Sequence, residues 1–218
     1  MRFQTSAIMA TFLSRRELLK RASLAGAAAA VVPKSRLVPE AILLQGSSRE
    51  TPETLTPAEY AVLASVVARL IPTDASGPGA TEAHAARYID RALGGALASS
   101  RPSYVAGLAA LEQLARSARG QSFAELTAVD QDRLLSDVEA GTAPGFAGGS
   151  ETFFTLVRGH TIQGTFCDPS YGGNANFVGW DLIGYPGVRT TVGADQQRLG
   201  ITVRPNHKGA YDYEMFTR

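Results

Sequence analysis

Cysteine occurs once, tryptophan once and histidine three times in these 218 residues. The lone Cys167 rules out an intrachain disulfide. It also excludes heme attachment of the C-x-x-C-H type and an iron–sulfur cluster held by four cysteines of this chain. His84, His160 and His207 have no partner histidine three or four positions away. A metal site built on them would need distant carboxylates. The G-x-S-x-G nucleophile elbow, the H-E-x-x-H zinc helix and the phosphate-binding G-x-x-x-x-G-K-[ST] loop are missing. No G-x-G-x-x-G follows a strand pattern, which argues against a bound dinucleotide. An excess of one charge is missing too. Against 20 acidic residues stand 21 basic ones, a net of +1, so neither nucleic acid nor an anionic membrane surface is indicated.

That balance hides an asymmetry. Residues 1–40 carry a net charge of +5 and the remainder −4. The basic piece reads SRRELLKRASLAGAAAAVV, with Arg15 and Arg16 followed by Leu18, Leu19 and Lys20 and then a mild apolar run from Ala22 to Val32. It resembles a twin-arginine export signal over residues 1–32, with Leu18 where Phe is commoner. The apolar run falls short of the ~20 residues that span a bilayer, and no other segment is a candidate span. Residues 33–55 are rich in Pro, Ser and Glu and read as a linker. An exported chain meets oxidising conditions. There, an odd cysteine is either a buried inert thiol or half of an intermolecular bridge.

Helical patterns follow one another from residue 56. Thr56-Pro57-Ala58-Glu59 has the form of a capping box with proline at the first helical position. Tyr60, Leu63, Val67 and Leu70 then recur at spacings of three and four until Pro72. A second helix is expected over Thr81–Leu93, ending at Gly94. A third covers Pro102–Arg119 with Tyr104, Leu108, Leu111 and Ala115 on one side, and Gly120 closes it. Thr127 caps a fourth through Glu139. Ser150 is the expected cap of a fifth, from Glu151 to Gln163. The fold class is all-α, a bundle or array of about five helices with a long irregular C-terminal segment.

That segment begins at Gly164. Half of the 22 glycines lie between Gly141 and Gly187. Phe166, Tyr171, Phe177, Trp180 and Tyr185 are spaced among them. Glycine-rich chain does not build a core of its own, so the segment lies on the helical body or against something else. Aromatics on a rigid loop make good interface anchors; the plainer reading is a structured surface loop. His160 and Cys167 could form a thiol and base pair for a hydrolase-like enzyme, but no orienting third group accompanies them. His160 otherwise reads as a polar residue meeting the carbonyls at a helix C-terminus.

The run FFTLVRGHTIQGTFCDPSYGGNANFVGWDLIGYPG, Phe153 to Gly187, resembles the signature of the gluconate 2-dehydrogenase subunit 3 family. The upstream stretches IPTDASGPGATEAHAARYID and FAELTAVDQDRLL fit it as well. The resemblance implies a non-catalytic small subunit over residues 56–187, with residues 188–218 a tail beyond it. It implies a large catalytic partner of the glucose–methanol–choline oxidoreductase type that carries FAD and, in some complexes, an iron–sulfur cluster. A membrane-bound multiheme cytochrome c would accept the electrons. The small subunit's own signal would export both chains to the periplasm and hold them at the membrane only through the complex. This chain itself would hold no cofactor or metal. Phe166, Cys167, Tyr171, Asn174, Trp180 and Tyr185 are the expected partner surface, with Cys167 a candidate for an intersubunit disulfide.

Overall fold

Thr56 and Glu59 open the first helix by capping one another. In the computed structural model, which describes residues 51–217, Glu59 N–H donates to the Thr56 hydroxyl at 3.3 Å, and the Glu59 carboxylate accepts from Thr56 N–H at 2.8 Å. Two otherwise orphaned donors are thereby satisfied. The twin-arginine pattern at Arg15 and Arg16 and most of the linker lie outside the described residues.

Helix α1 runs Pro57–Leu70. Its buried face, Val62, Leu63, Val66 and Val67, is wider than the expected stripe because it is the central helix, packing against four others. Helix α2 is Ala85–Leu93, α3 Arg101–Arg119, α4 Ala128–Glu139, α5 Ser150–Phe166 and α6 Val178–Leu182. Tyr104, Phe123, Leu63, Ile89, Leu93, Leu108 and Leu111 fill the space between them. Among the described residues there is no strand beyond one isolated bridge, Asp74 with Gly77, and no helix is long and apolar enough to cross a membrane. The all-α expectation holds.

Apart from the start of α3, one residue early at Arg101, three boundaries differ from expectation. Helix α2 begins at Ala85, four residues late, because His84 sits at φ +57° and residues 79–84 form tight turns instead. A left-handed residue cannot continue a right-handed helix. Gly149, at φ +95°, takes the cap position expected of Ser150, which becomes the first helical residue with a buried hydroxyl that meets no partner. Helix α5 continues to Phe166, past the Gln163 expected as its end. Gly164 does not break it. A Cβ there would stand 2.8 Å from the Tyr88 ring and 3.1 Å from the Ala85 Cα. The glycine lets α2 and α5 pack at close range.

The described end of the linker is fastened to the body. Asp90, buried in α2, accepts the backbone N–H groups of Glu53, Thr54 and Leu55 at 2.6, 3.2 and 2.7 Å, and Leu55 is buried in the core. Three donors satisfy a carboxylate that would otherwise be costly to bury.

Candidate functional site

The glycine and aromatic segment is built around the C-terminus of α5. Cys167 leaves the helix in extended backbone, and Asp168 caps a short turn at Pro169–Tyr171. Asn174, fully buried at φ +44°, then joins two helix ends. Its amide donates to the Cys167 carbonyl at 2.8 Å and its oxygen accepts from Gly179 N–H, in the first turn of α6, at 2.8 Å. Its backbone N–H donates to the Gly164 carbonyl at 2.9 Å. Trp180 is buried as well. Its indole donates to the Phe166 carbonyl at 2.8 Å, and its ring meets Tyr185 edge-on at 4.7 Å and Phe177 at 5.4 Å.

The tail beyond Gly187 folds back over this segment. Asn206 donates to the Val188 carbonyl at 2.8 Å, as does the Tyr213 hydroxyl at 2.7 Å. His207 contacts Asp181 at 2.8 Å and stacks on Phe177. The Asp168 carboxylate accepts Ser170 N–H at 3.0 Å and Ala210 N–H at 2.6 Å. Partial burial would push its carboxyl up, but these bonds together hold it below the ordinary carboxylate range. The arrangement brings Tyr211 against Tyr171, ring centroids 6.3 Å apart and nearly perpendicular.

Between α2, α5 and the Pro169–Tyr171 turn lies an open groove of about 610 Å³. Tyr88 and Ala92 of α2 and Ala96 just beyond it form one wall. Ile162, Phe166 and Cys167 form the other, Tyr171 stands at one end, and Arg91 is its charged residue. The groove is more apolar than polar, with Arg91, Gln163 and Ser170 as its polar side chains besides the tyrosine hydroxyls.

The six residues expected at a partner surface thus divide. Phe166, Cys167 and Tyr171 come together on the groove. Asn174 and Trp180 turn inward and brace the segment, because their polar atoms are consumed by the chain's own helix ends. Tyr185 is exposed on the Trp180 ring and does not line the groove.

His160 and Cys167 are not a catalytic pair in this arrangement. His160 is not at a helix end, where it was expected to meet terminal carbonyls. It lies inside α5, buried, with Nδ1 3.0 Å from the Tyr104 hydroxyl and the two rings stacked. Burial lowers its pKa and pushes the Tyr104 phenol well above its ordinary value, so a neutral imidazole shares a hydrogen bond with a protonated hydroxyl. The Cys167 thiol donates to the Gly164 carbonyl at 3.6 Å. Burial raises its pKa, the reverse of what an activated nucleophile needs. Among the described residues no three His, Cys, Asp or Glu side chains are grouped to hold a metal.

Sequence reasoning missed the Asp90 anchor and the Asp168–Ala210 clasp. Asp90 was within view as the last residue of the IPTDASGPGATEAHAARYID stretch; the clasp joins residues 42 positions apart and leaves no local signal.

No curated protein and no solved structure matches the chain. The family model for gluconate 2-dehydrogenase subunit 3 matches residues 57–187, from the first residue of α1 to the glycine at which the tail begins. The chain belongs to the gluconate 2-dehydrogenase subunit 3 family.

Proposed function

We propose that this chain is the non-catalytic small subunit of a periplasmic FAD-dependent sugar or polyol dehydrogenase. The family is that of a subunit of a dehydrogenase complex. The finer reading gives the chain two tasks. It stabilises a large flavin-carrying subunit of the glucose–methanol–choline type, and its twin-arginine signal carries that subunit through export. An iron–sulfur cluster, where the complex has one, belongs to the large subunit, and heme c to a third, membrane-bound subunit. This chain attaches to the membrane only through them.

The observation that carries this reading is the groove. An open apolar surface with an unactivated thiol suits association better than turnover. Cys167 then bridges to a cysteine of the large subunit, which would hold the pair together on dilution. The independent-hydrolase alternative is disfavoured because the His160 ring is committed to Tyr104 and the thiol is not activated.

Changing both Arg15 and Arg16 to Lys tests the export task. Dehydrogenase activity and bound flavin, measured in cytoplasmic and periplasmic fractions, should both remain in the cytoplasm together with this chain. Undiminished periplasmic activity would overturn shared export.

A further inference from the structure

We propose that the groove between α2 and α5 receives an extended segment of the large subunit that places an apolar side chain between the helices and a carboxylate on Arg91. The proposal rests on the accessory-subunit reading and adds where the partner binds and by what chemistry.

The apolar half of the argument is the lining. Tyr88, Ala92, Ala96, Ile162, Phe166 and Tyr171 present hydrocarbon and ring surface, and Ile162 and Tyr171 are 43% and 56% exposed. The small alanines on one wall leave room for an incoming side chain, and the rings opposite would flank it. Aromatic and aliphatic pockets of this kind hold the anchor residues of protein interfaces.

The charged half is Arg91. Arg69, Arg116, Arg119 and Arg133 each meet a carboxylate of the helical body. The Arg91 guanidinium has no such partner among the described residues. It lies across Gly172, its Nη1 3.4 Å from where a Cβ at that glycine would stand, and so beside Tyr171 at the end of the groove. The lining holds no Asp or Glu. Asp90, next to Arg91 in sequence, is taken up by the backbone of Glu53 to Leu55, and Asp168, next to the lining residue Cys167, is engaged by Ser170 and Ala210. An unpaired guanidinium at the end of an apolar groove is complementary to a carboxylate flanking an apolar residue, which it can grip with two parallel hydrogen bonds. Gln163, also on the lining, offers its amide to the backbone of an extended chain.

The test uses the full chain co-expressed with its large subunit, with a benzophenone amino acid in place of Ala96. Irradiation should join it to a peptide of the flavin-carrying subunit in which an Asp or Glu neighbours an apolar residue. Arg91→Glu should weaken association at least tenfold while leaving the helical melt of this exposed position unchanged, and Arg91→Lys should weaken it less. Changing the mapped carboxylate to Arg should restore the Arg91→Glu complex. A cross-link to a second copy of this chain, or an Arg91→Glu chain that associates like wild type, overturns the groove proposal and leaves the accessory-subunit reading standing. If wild type associates with no flavin-carrying protein, both are overturned.

Discussion

The Trp180 indole donates to the Phe166 carbonyl at 2.8 Å, across fourteen residues of chain. The bond ties the short helix α6 to the last turn of α5, and the ring is buried between Phe177 and Tyr185. Trp180→Ala should therefore act on stability directly, by about 3–5 kcal/mol, the usual cost of truncating a buried aromatic. Trp180→Phe keeps most of the packing and loses the hydrogen bond, worth about 1 kcal/mol. Circular-dichroism melts of the two variants should rank in that order. An unchanged melt for Trp180→Ala would contradict its placement in the core.

Asn174 permits a finer test, because its conformation and its amide can be separated. Asn174→Gly keeps the positive φ but leaves the Cys167 carbonyl and Gly179 N–H without partners, at about 1–3 kcal/mol for each buried group. Asn174→Ala adds the left-handed penalty of roughly 1–2 kcal/mol. Denaturant titration should place stability in the order wild type, Gly, Ala. Equal stability for Gly and wild type would show that the amide joins nothing.

The His160–Tyr104 pair predicts a pH dependence with a definite sign. Burial lowers the His160 pKa from its ordinary 6.5. The unfolded chain therefore takes up the proton more readily than the folded one. The stabilising contribution is complete above about pH 6.5 and is lost as the pH falls from there through the lowered folded value. His160→Gln can keep a hydrogen bond to Tyr104 but does not titrate. The stability advantage of wild type over the variant should shrink on acidification from pH ~7.5 to ~5. An advantage that stays constant, or grows, would contradict a buried neutral imidazole.

Cys167 should react sluggishly in the free chain. Its raised pKa leaves less thiolate at neutral pH than an ordinary cysteine of pKa ~8.5 has. Alkylation at pH 7 should be slower than for a cysteine peptide and should quicken as the pH rises. In the complex, the proposed bridge predicts one slow band on a non-reducing gel that splits on reduction, with Cys167→Ser abolishing it. Separate bands without reductant would refute the bridge.

Much of the helical body was legible because its signals are local. The Thr56–Glu59 box, the Tyr104–Leu108–Leu111–Ala115 stripe, Gly120 and the Thr127 cap each act within a few residues, and each stands where expected. The missed features are tertiary. Gly164 looks like a helix breaker, yet it serves as a contact point for α2, and only the position of Tyr88 reveals that. His160 looked like a helix end for the same reason and proved to be core. Composition places Trp180, and the resemblance Asn174, on a surface; the carbonyls they satisfy, of Phe166 and Cys167, lie at the end of a helix that the sequence pattern closes three residues earlier. The groove was half legible, since Phe166, Cys167 and Tyr171 come from the recognised motif. Tyr88, Arg91 and Ala96 reach it from α2 and its link, far away in sequence.

The central claim is that this chain serves a dehydrogenase without being one. The most direct measurement is purification of the full chain alone and co-expressed with its large subunit, followed by flavin absorbance and sugar-dependent dye reduction on both. The account predicts that the lone chain carries no flavin and reduces no dye. The co-purified pair should carry flavin in proportion to the large subunit and turn over, with less activity when the small chain is removed. Turnover by the lone chain, or a large subunit equally stable and active without it, would contradict the account.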